Sequence, residues 1–296
     1  MTNNADYGRL ARELEATGSY RVLRRVDHSD LDTRVDFELD YRTGLVIDVE
    51  TTGLDPTRDE VIELAARLFW ATRDGVIVAV GPSRAWLEDP GKPLSPEIVQ
   101  LTGLTDADLA GRRIEDDEVI TMMVRADFIV AHNARFDRPF IERRFPTCRE
   151  LAWCCSLNDT DWGSHGFDGR GLGWLLAQCG AFHGGHRAAA DVDATLALLR
   201  HRLPTDRTVL AEILERAETP TWLVRAVGAH YDVKDHLKAR GYGWDGVARV
   251  WGREILDEAL EAEKAWLDVH VYRHEHLPRA LGPSIAEMNW SKRYSE

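Results

Sequence analysis

Two periodicities take turns along the first two-thirds of the chain. Leu45-Val46-Ile47 and Phe128 to Ala131 are short apolar runs of the kind that form buried strands. Val61 to Ala71 and Val76 to Trp86 are also expected strands, with Arg73-Asp74-Gly75 between them as a hairpin signal. Helical spacing follows. Ser95 and Pro96 open a short helix, and Asp106 and Asp108 enter another. Ile114 to Ala126 feeds the strand at Phe128, and a helix is expected from near Ala134. Leu151 to Leu157 is the expected last strand, Leu172, Leu175, Leu176 and Cys179 share one helix face, and a further helix runs through Arg200. The order strand, hairpin, helices, strand, helix, strand, helix predicts an α/β fold: a sheet with helices on both faces.

The flanks read differently. Residues 5–17 look helical with Gly18 as the stop, Tyr20 to Val26 is strand or linker, and Asp27 to Asp40 is acid-rich and irregular. Leu203-Pro204-Thr205 marks a boundary. Beyond it the sequence predicts a helix over Val209 to Ala217, a strand over Thr221 to Val227 and a helix over Val233 to Arg240. A hairpin is expected to turn over Asp245-Gly246, between Tyr242–Trp244 and Val247–Trp251, with an amphipathic helix over Glu254 to Val269. Three segments result: an N-terminal extension (1–42), an α/β domain (43–203) and a small α+β domain (204–296). In the last, Tyr242, Trp244 and Trp251 lie near Lys234, Lys238, Arg240 and Arg249, a mixture suited to stacking on a single strand. A small domain also needs large rings to fill its core, and that reading is preferred.

Composition changes little. The 44% hydrophobic content is ordinary for a globular chain, and no apolar run reaches 18 residues, so no membrane span is expected. The first ten residues lack a secretory pattern, and four cysteines make no disulfide framework at this length, which leaves the cytoplasm as the default.

The chemistry concentrates where Leu45–Ile47 breaks into acid. Asp48 and Glu50 are two apart, so a strand points both carboxylates the same way. Repelling charges so placed call for a cation between them, and oxygen ligands of this type suit Mg²⁺ or Mn²⁺ rather than zinc. Thr51-Thr52-Gly53 then turns the chain. Two further candidate segments are Ala131-His132-Asn133-Ala134-Arg135-Phe136-Asp137 and His186-Arg187-Ala188-Ala189-Ala190-Asp191, the second preceded by Gly184-Gly185. Asn133 reads as a helix cap and Phe136 equally as helix core or site wall. Cys179, His183 and His186 could be sketched as a zinc site, but no fourth ligand has suitable spacing.

Asp48 and Glu50, Asp137, and His186 with Asp191, in this order, resemble the DEDDh (DnaQ-like) 3′–5′ exonuclease family, which includes bacterial proofreading subunits of the polymerase III epsilon type. The resemblance covers about residues 43–203, and Leu237-Lys238 through Trp251 is similar to a C-terminal module of some bacterial members. It implies a ribonuclease-H-like mixed five-stranded sheet and hydrolysis of phosphodiester bonds from a 3′ end, releasing nucleoside 5′-monophosphates. Asp48, Glu50, Asp137 and Asp191 would hold two Mg²⁺ or Mn²⁺ ions, and His186 would be the general base. Gly184-Gly185 suggests a loop that swings His186 into place. Thr51, Thr52, Gly53 and Leu54 would face the terminal nucleotide on one side, and His132 and Phe136 on the other.

DNA, single-stranded or frayed, is the expected substrate, with RNA trimming the alternative. A subunit acting through a polymerase is the other reading, and a free-standing enzyme is preferred because both flanks differ from the replicative pattern. The net charge of −13 argues against nucleic acid only at face value, since four acids holding two divalent ions are neutralised locally.

Overall fold

The computed structural model describes residues 4–33, 40–246 and 248–295, with side chains from residue 7 onward. The chain forms two compact units, residues 1–216 with 294–296, and residues 217–293.

The first unit opens with α1 (Asn4–Ala16) and the two-residue strand β1 (Arg24–Arg25). Residues 34–39 of the acid-rich stretch lie outside the described set. Next come β2 (Arg42–Thr51), β3 (Val61–Ala71), β4 (Ile77–Val80) and β5 (Arg84–Leu87). The expected second hairpin strand is therefore two strands, split at Gly81-Pro82, where proline has no N–H to give the ladder. Helices α2 (Pro96–Thr102), α3 (Asp106–Leu109) and α4 (Asp116–Arg125) lead to β6 (Phe128–Ala131), α5 (Ala134–Arg144) and β7 (Trp153–Cys155). The unit continues through α6 (Leu172–Gln178), β8 (Ala181–Phe182) and α7 (Ala188–Arg200) into α8 (Val209–Glu218).

The main sheet has the order β4-β3-β2-β6-β7, with β5 also paired to β3, so it has six strands where five were expected. β2 runs antiparallel to β3 and parallel to β6, giving the mixed sheet. β2 is central because it can be buried on both faces. Leu45, Ile47 and Val49 enter the large core cluster, and Val46 is equally buried on the other side. Gly44 is required here, since a Cβ at that position would lie 2.1 Å from the Phe69 ring. Most of α8 belongs to this unit: Thr208 donates to the Gly75 carbonyl, and Ala211 packs on Gly75.

The second unit is a four-stranded sheet, β9 (Thr221–Arg225), β10 (Gly243–Asp245), β11 (Val250–Leu256) and β12 (Ser284–Met288), in the order β10-β11-β9-β12, with helices α9 (Lys234–Ala239) and α10 (Leu260–His270). Two expectations are corrected. Asp245 pairs with Val250, so the second hairpin strand begins at Val250 rather than Val247, which lies outside the described set. Glu254–Leu256 is strand rather than helix, because each residue pairs with β9. Strand β12 was not foreseen. Tyr242 is buried, Trp251 half-buried and Trp244 53% exposed, so the rings divide between core and surface.

Candidate active site

Strand geometry sets the first two carboxylates. Asp48 pairs with Ala65 and Glu50 with Glu63 across the β2–β3 ladder, and a register shift follows directly between Glu50 and Thr51. Strand β6 stops at Ala131, and its pairing with β2 stops at Val46, so β2 amides farther along need another acceptor on that side. Asp137 on α5 supplies one, its Oδ1 accepting the Val49 N–H at 3.2 Å. Asp191 lies in the first turn of α7, a helix that packs on both β2 and β3.

One oxygen from each of Asp48, Glu50 and Asp191 can be chosen so that all lie within 4.8 Å of one another. Among the described residues this is the one acidic or His/Cys group close enough to hold a metal ion, so no Cys179–His183–His186 cluster forms. Asp137 stands beside it, buried, near enough to affect Asp48 electrostatically.

Crowding and burial push the acids toward the neutral form. Asp48 is raised well above the carboxylate range, first by loss of solvent and then by Asp137, Asp191 and Glu50. Burial pushes Glu50 up to about 7, with Asp191 and Glu63 adding to it and Arg187 opposing. Burial pushes Asp137 to about 8 although the Val49 amide pulls it down. Carboxylates held this way resist ionisation until a cation joins them, so the donor set fits a hard divalent metal.

A cleft of about 650 Å³ opens beside them, lined by Asp48, Asp191, His132, Asn133, His183 and His186 among others. His186 is exposed and has φ 65°, a left-handed conformation unusual for a residue other than glycine, and its main-chain N–H donates to Asp191 Oδ2 at 3.0 Å. His183 was considered in the sequence only as a zinc ligand, yet its Nε2 lies 2.6 Å from Asp191 Oδ1. Its signal was a second histidine three residues before His186. His132 is locked, Nδ1 on the Ser156 hydroxyl and Nε2 on the Arg170 carbonyl, both 2.9 Å. Burial lowers it to about 4, so it is neutral at pH 7. Asn133 occupies the position before α5 but makes no side-chain cap bond; it has φ 83° and lines the cleft, which corrects the capping expectation.

Other expected residues lie outside the cleft lining. Phe136 packs on Phe140 with centroids 5.2 Å apart and joins the core cluster. Thr51 is buried and donates to the Gly53 carbonyl. Asp59 pins the turn, accepting from the Thr52 hydroxyl at 3.2 Å and the Asp55 amide at 3.0 Å. A Cβ on Gly53 would meet that carboxylate at 2.4 Å. Leu54 is left 84% exposed, an apolar side chain in water just past the acid-bearing strand.

One further residue was missed. Glu63 is 1% exposed, accepts from Arg187 Nε and Nη2 at 3.0 Å each, and also takes the Ala188 N–H at 3.2 Å. A strand carboxylate thus serves as the N-terminal acceptor of α7, whose own preceding residue, Arg187, offers none.

The profile of the RNase_T family, described as "Exonuclease", matches residues 45–199. The chain is 34% identical over 174 residues to the DNA polymerase III PolC-type of Staphylococcus haemolyticus, covering 54% of this chain and 11% of that protein. It is 42% identical over 106 residues to the corresponding protein of Bacillus cereus, covering 35% and 7%. The chain therefore spans about a tenth of the length of these relatives. Among solved structures, exonuclease X in complex with 5′ overhanging duplex DNA aligns with TM-score 0.43 and 24% identity, covering 58% of this chain and 98% of that one. E. coli exonuclease I in complex with an oligonucleotide aligns with TM-score 0.48 and 18% identity, covering 62% and 47%.

Proposed function

From the premise that this chain belongs to the RNase_T exonuclease family, we propose that it is a divalent-metal-dependent 3′–5′ exonuclease acting on DNA. The observation that carries the reading is the convergence of Asp48, Glu50 and Asp191 within 4.8 Å, on the rim of a cleft that also holds His186. That the curated relatives are DNA polymerases supports DNA as the polymer.

Asp48, Glu50 and Asp191 would hold Mg²⁺ or Mn²⁺ directly, with Asp137 behind them completing the site for a second ion. Bound there, such ions supply charge stabilisation for in-line displacement at phosphorus. His186 is exposed on the cleft, where its imidazole would take the proton of the attacking water. Asp191 is tied to His183 and to the His186 amide, which couples the loop carrying the base to the ligand acid. Leu54 would pack against the terminal base and fray it, while Asp59 and the Thr52 hydroxyl keep the turn rigid. His132, neutral and fixed by two partners, would form the opposite wall.

The test is a time course on 5′-labelled single-stranded DNA and RNA of one sequence, with Mg²⁺, Mn²⁺ or chelator, using wild type and Asp48→Ala. A metal-dependent ladder shortening from the 3′ end, absent in the variant and stronger on DNA, is expected. A ladder on RNA alone would replace the substrate, and no ladder with either metal would overturn the reading.

A further inference from the structure

Residues 20–33 lie outside the family match, which begins at residue 45. They nevertheless bind the elements on both sides of the loop that carries His186, β8 directly before it and α7 after it. On the near side, β1 pairs in parallel with β8, Arg24 opposite Ala181 and Arg25 opposite Phe182. The Arg24 N–H donates to the Gly180 carbonyl and the Val26 N–H to the Phe182 carbonyl, both at 2.9 Å. The Arg25 guanidinium stands over the Phe182 ring, 5.0 Å from its centroid. On the far side, buried His28 places Nε2 2.9 Å from the Asp193 carbonyl in the second turn of α7. Asp30 pairs with Arg200 at the end of the same helix.

Between these two attachments lie residues 183–187. They contain Gly184-Gly185 and the left-handed His186, a backbone that local preference alone does not hold in one state. Within the loop, the contacts that restrain it run to Asp191 and Glu63. Asp191 is itself one of the acids expected to turn toward metal, so those bonds would be shared with it. The strap contacts are independent of the acids.

We propose that residues 24–30 are a positioning strap that fixes the elements flanking the 183–187 loop and so sets where His186 sits in the cleft. The strap touches none of the acids, and it reaches the cleft lining through Phe182, whose ring Arg25 covers. Arg24, Arg25, Val26, His28 and Asp30 are positioning residues, and their contribution to turnover rests on the reading of His186 as the base. This assigns a purpose to the N-terminal extension: a glycine-containing loop gains fixed flanking elements from a segment outside the matched domain.

The test uses the full chain with Arg24→Pro/Val26→Pro, which deletes both main-chain donors and keeps the length. Hydrogen exchange is measured at 183–187, and kcat and KM are measured well below the melting temperature. Amides of 183–187 are expected to exchange about tenfold faster, and kcat to fall about tenfold with KM changed less than about twofold, as for a displaced catalytic group. Arg25→Ala, which keeps the donors and loses only the ring contact, should change both in the same direction by less, and it stands in if the double variant does not fold. Unchanged exchange at 183–187 in a folded variant, or unchanged kcat, would overturn the proposal. Exchange is read without activity. If wild type hydrolyses nothing while the variant's loop exchanges faster, the strap stands and the nuclease reading fails.

Discussion

Metal should stabilise this protein more at pH 8 than at pH 5.5. Glu50 shows why. Its folded pKa is about 7 against an ordinary 4.5, raised by burial and by neighbouring acids. A raised folded pKa means the stabilisation is fully present below about 4.5 and is lost as pH rises through about 7, so in chelator the carboxylate cluster weakens the fold as pH climbs. A cation needs the ionised form. At pH 5.5 it must displace a proton held about 1.5 units too tightly, about 2 kcal/mol before allowing for partial exposure, and about 1 kcal/mol after it. At pH 8 that cost is gone for Glu50, and Asp137, with a folded pKa of about 8, adds in the same direction. For a unit of this size 1 kcal/mol is about 2–4 °C. The rise in melting temperature on adding about 10 mM Mg²⁺ should therefore be several degrees larger at pH 8. Buried histidines such as His28, whose lowered pKa destabilises the fold in acid, cancel in the difference because each comparison is made at one pH. The assay is calorimetry with chelator and with Mg²⁺ at both pH values, for wild type and Asp191→Asn. An Mg²⁺ shift equal at the two pH values, or larger at pH 5.5, would refute the argument that these acids are a metal-seeking cluster.

Asp48→Asn should abolish hydrolysis and yet raise the melting temperature in chelator, because it removes a buried carboxyl whose ionisation is opposed first by loss of solvent and then by its acidic neighbours; a lower melting temperature would count against that reasoning. Glu63→Gln leaves Arg187 and the Ala188 amide without a charged acceptor, so stability should drop by about 1–3 kcal/mol and kcat should fall; steady-state kinetics and denaturant unfolding read both. Gly44→Ala drives a Cβ into the Phe69 ring and should cost about 3 kcal/mol or more, read as a lower denaturant midpoint. Leu54→Ala should raise KM on duplex ends more than on single strands, compared in parallel digests, since an exposed apolar side chain is suited to separating a terminal pair.

Strand period and apolar run length are local properties, so the strand over Val61–Ala71, the alternation of strands with helices and the paired acids at 48 and 50 were legible directly, while the mixed sheet and the acid at 191 came from the resemblance of the three motifs. The sequence also placed Asp137 at the start of α5. What it could not show depends on contacts distant along the chain. Glu63 looks like one polar residue in an apolar strand until α7, more than a hundred residues later, brings Arg187 against it. His183 reads as a spare histidine until the turn before α7 folds it onto Asp191. Among the described residues strand β12 pairs with β9 alone, and Glu254–Leu256 carries helical spacing that pairing with β9 overrides with main-chain hydrogen bonds. The strap at Arg24–Val26 is the plainest case. Tyr20 to Val26 reads equally as strand or linker, and it is the pairing with Ala181–Phe182 that makes Arg24–Arg25 a strand. Periodicity tells which face of an element is apolar. Tertiary structure decides which distant group meets it, and the groups around the proposed base and metal ligands are of that second kind.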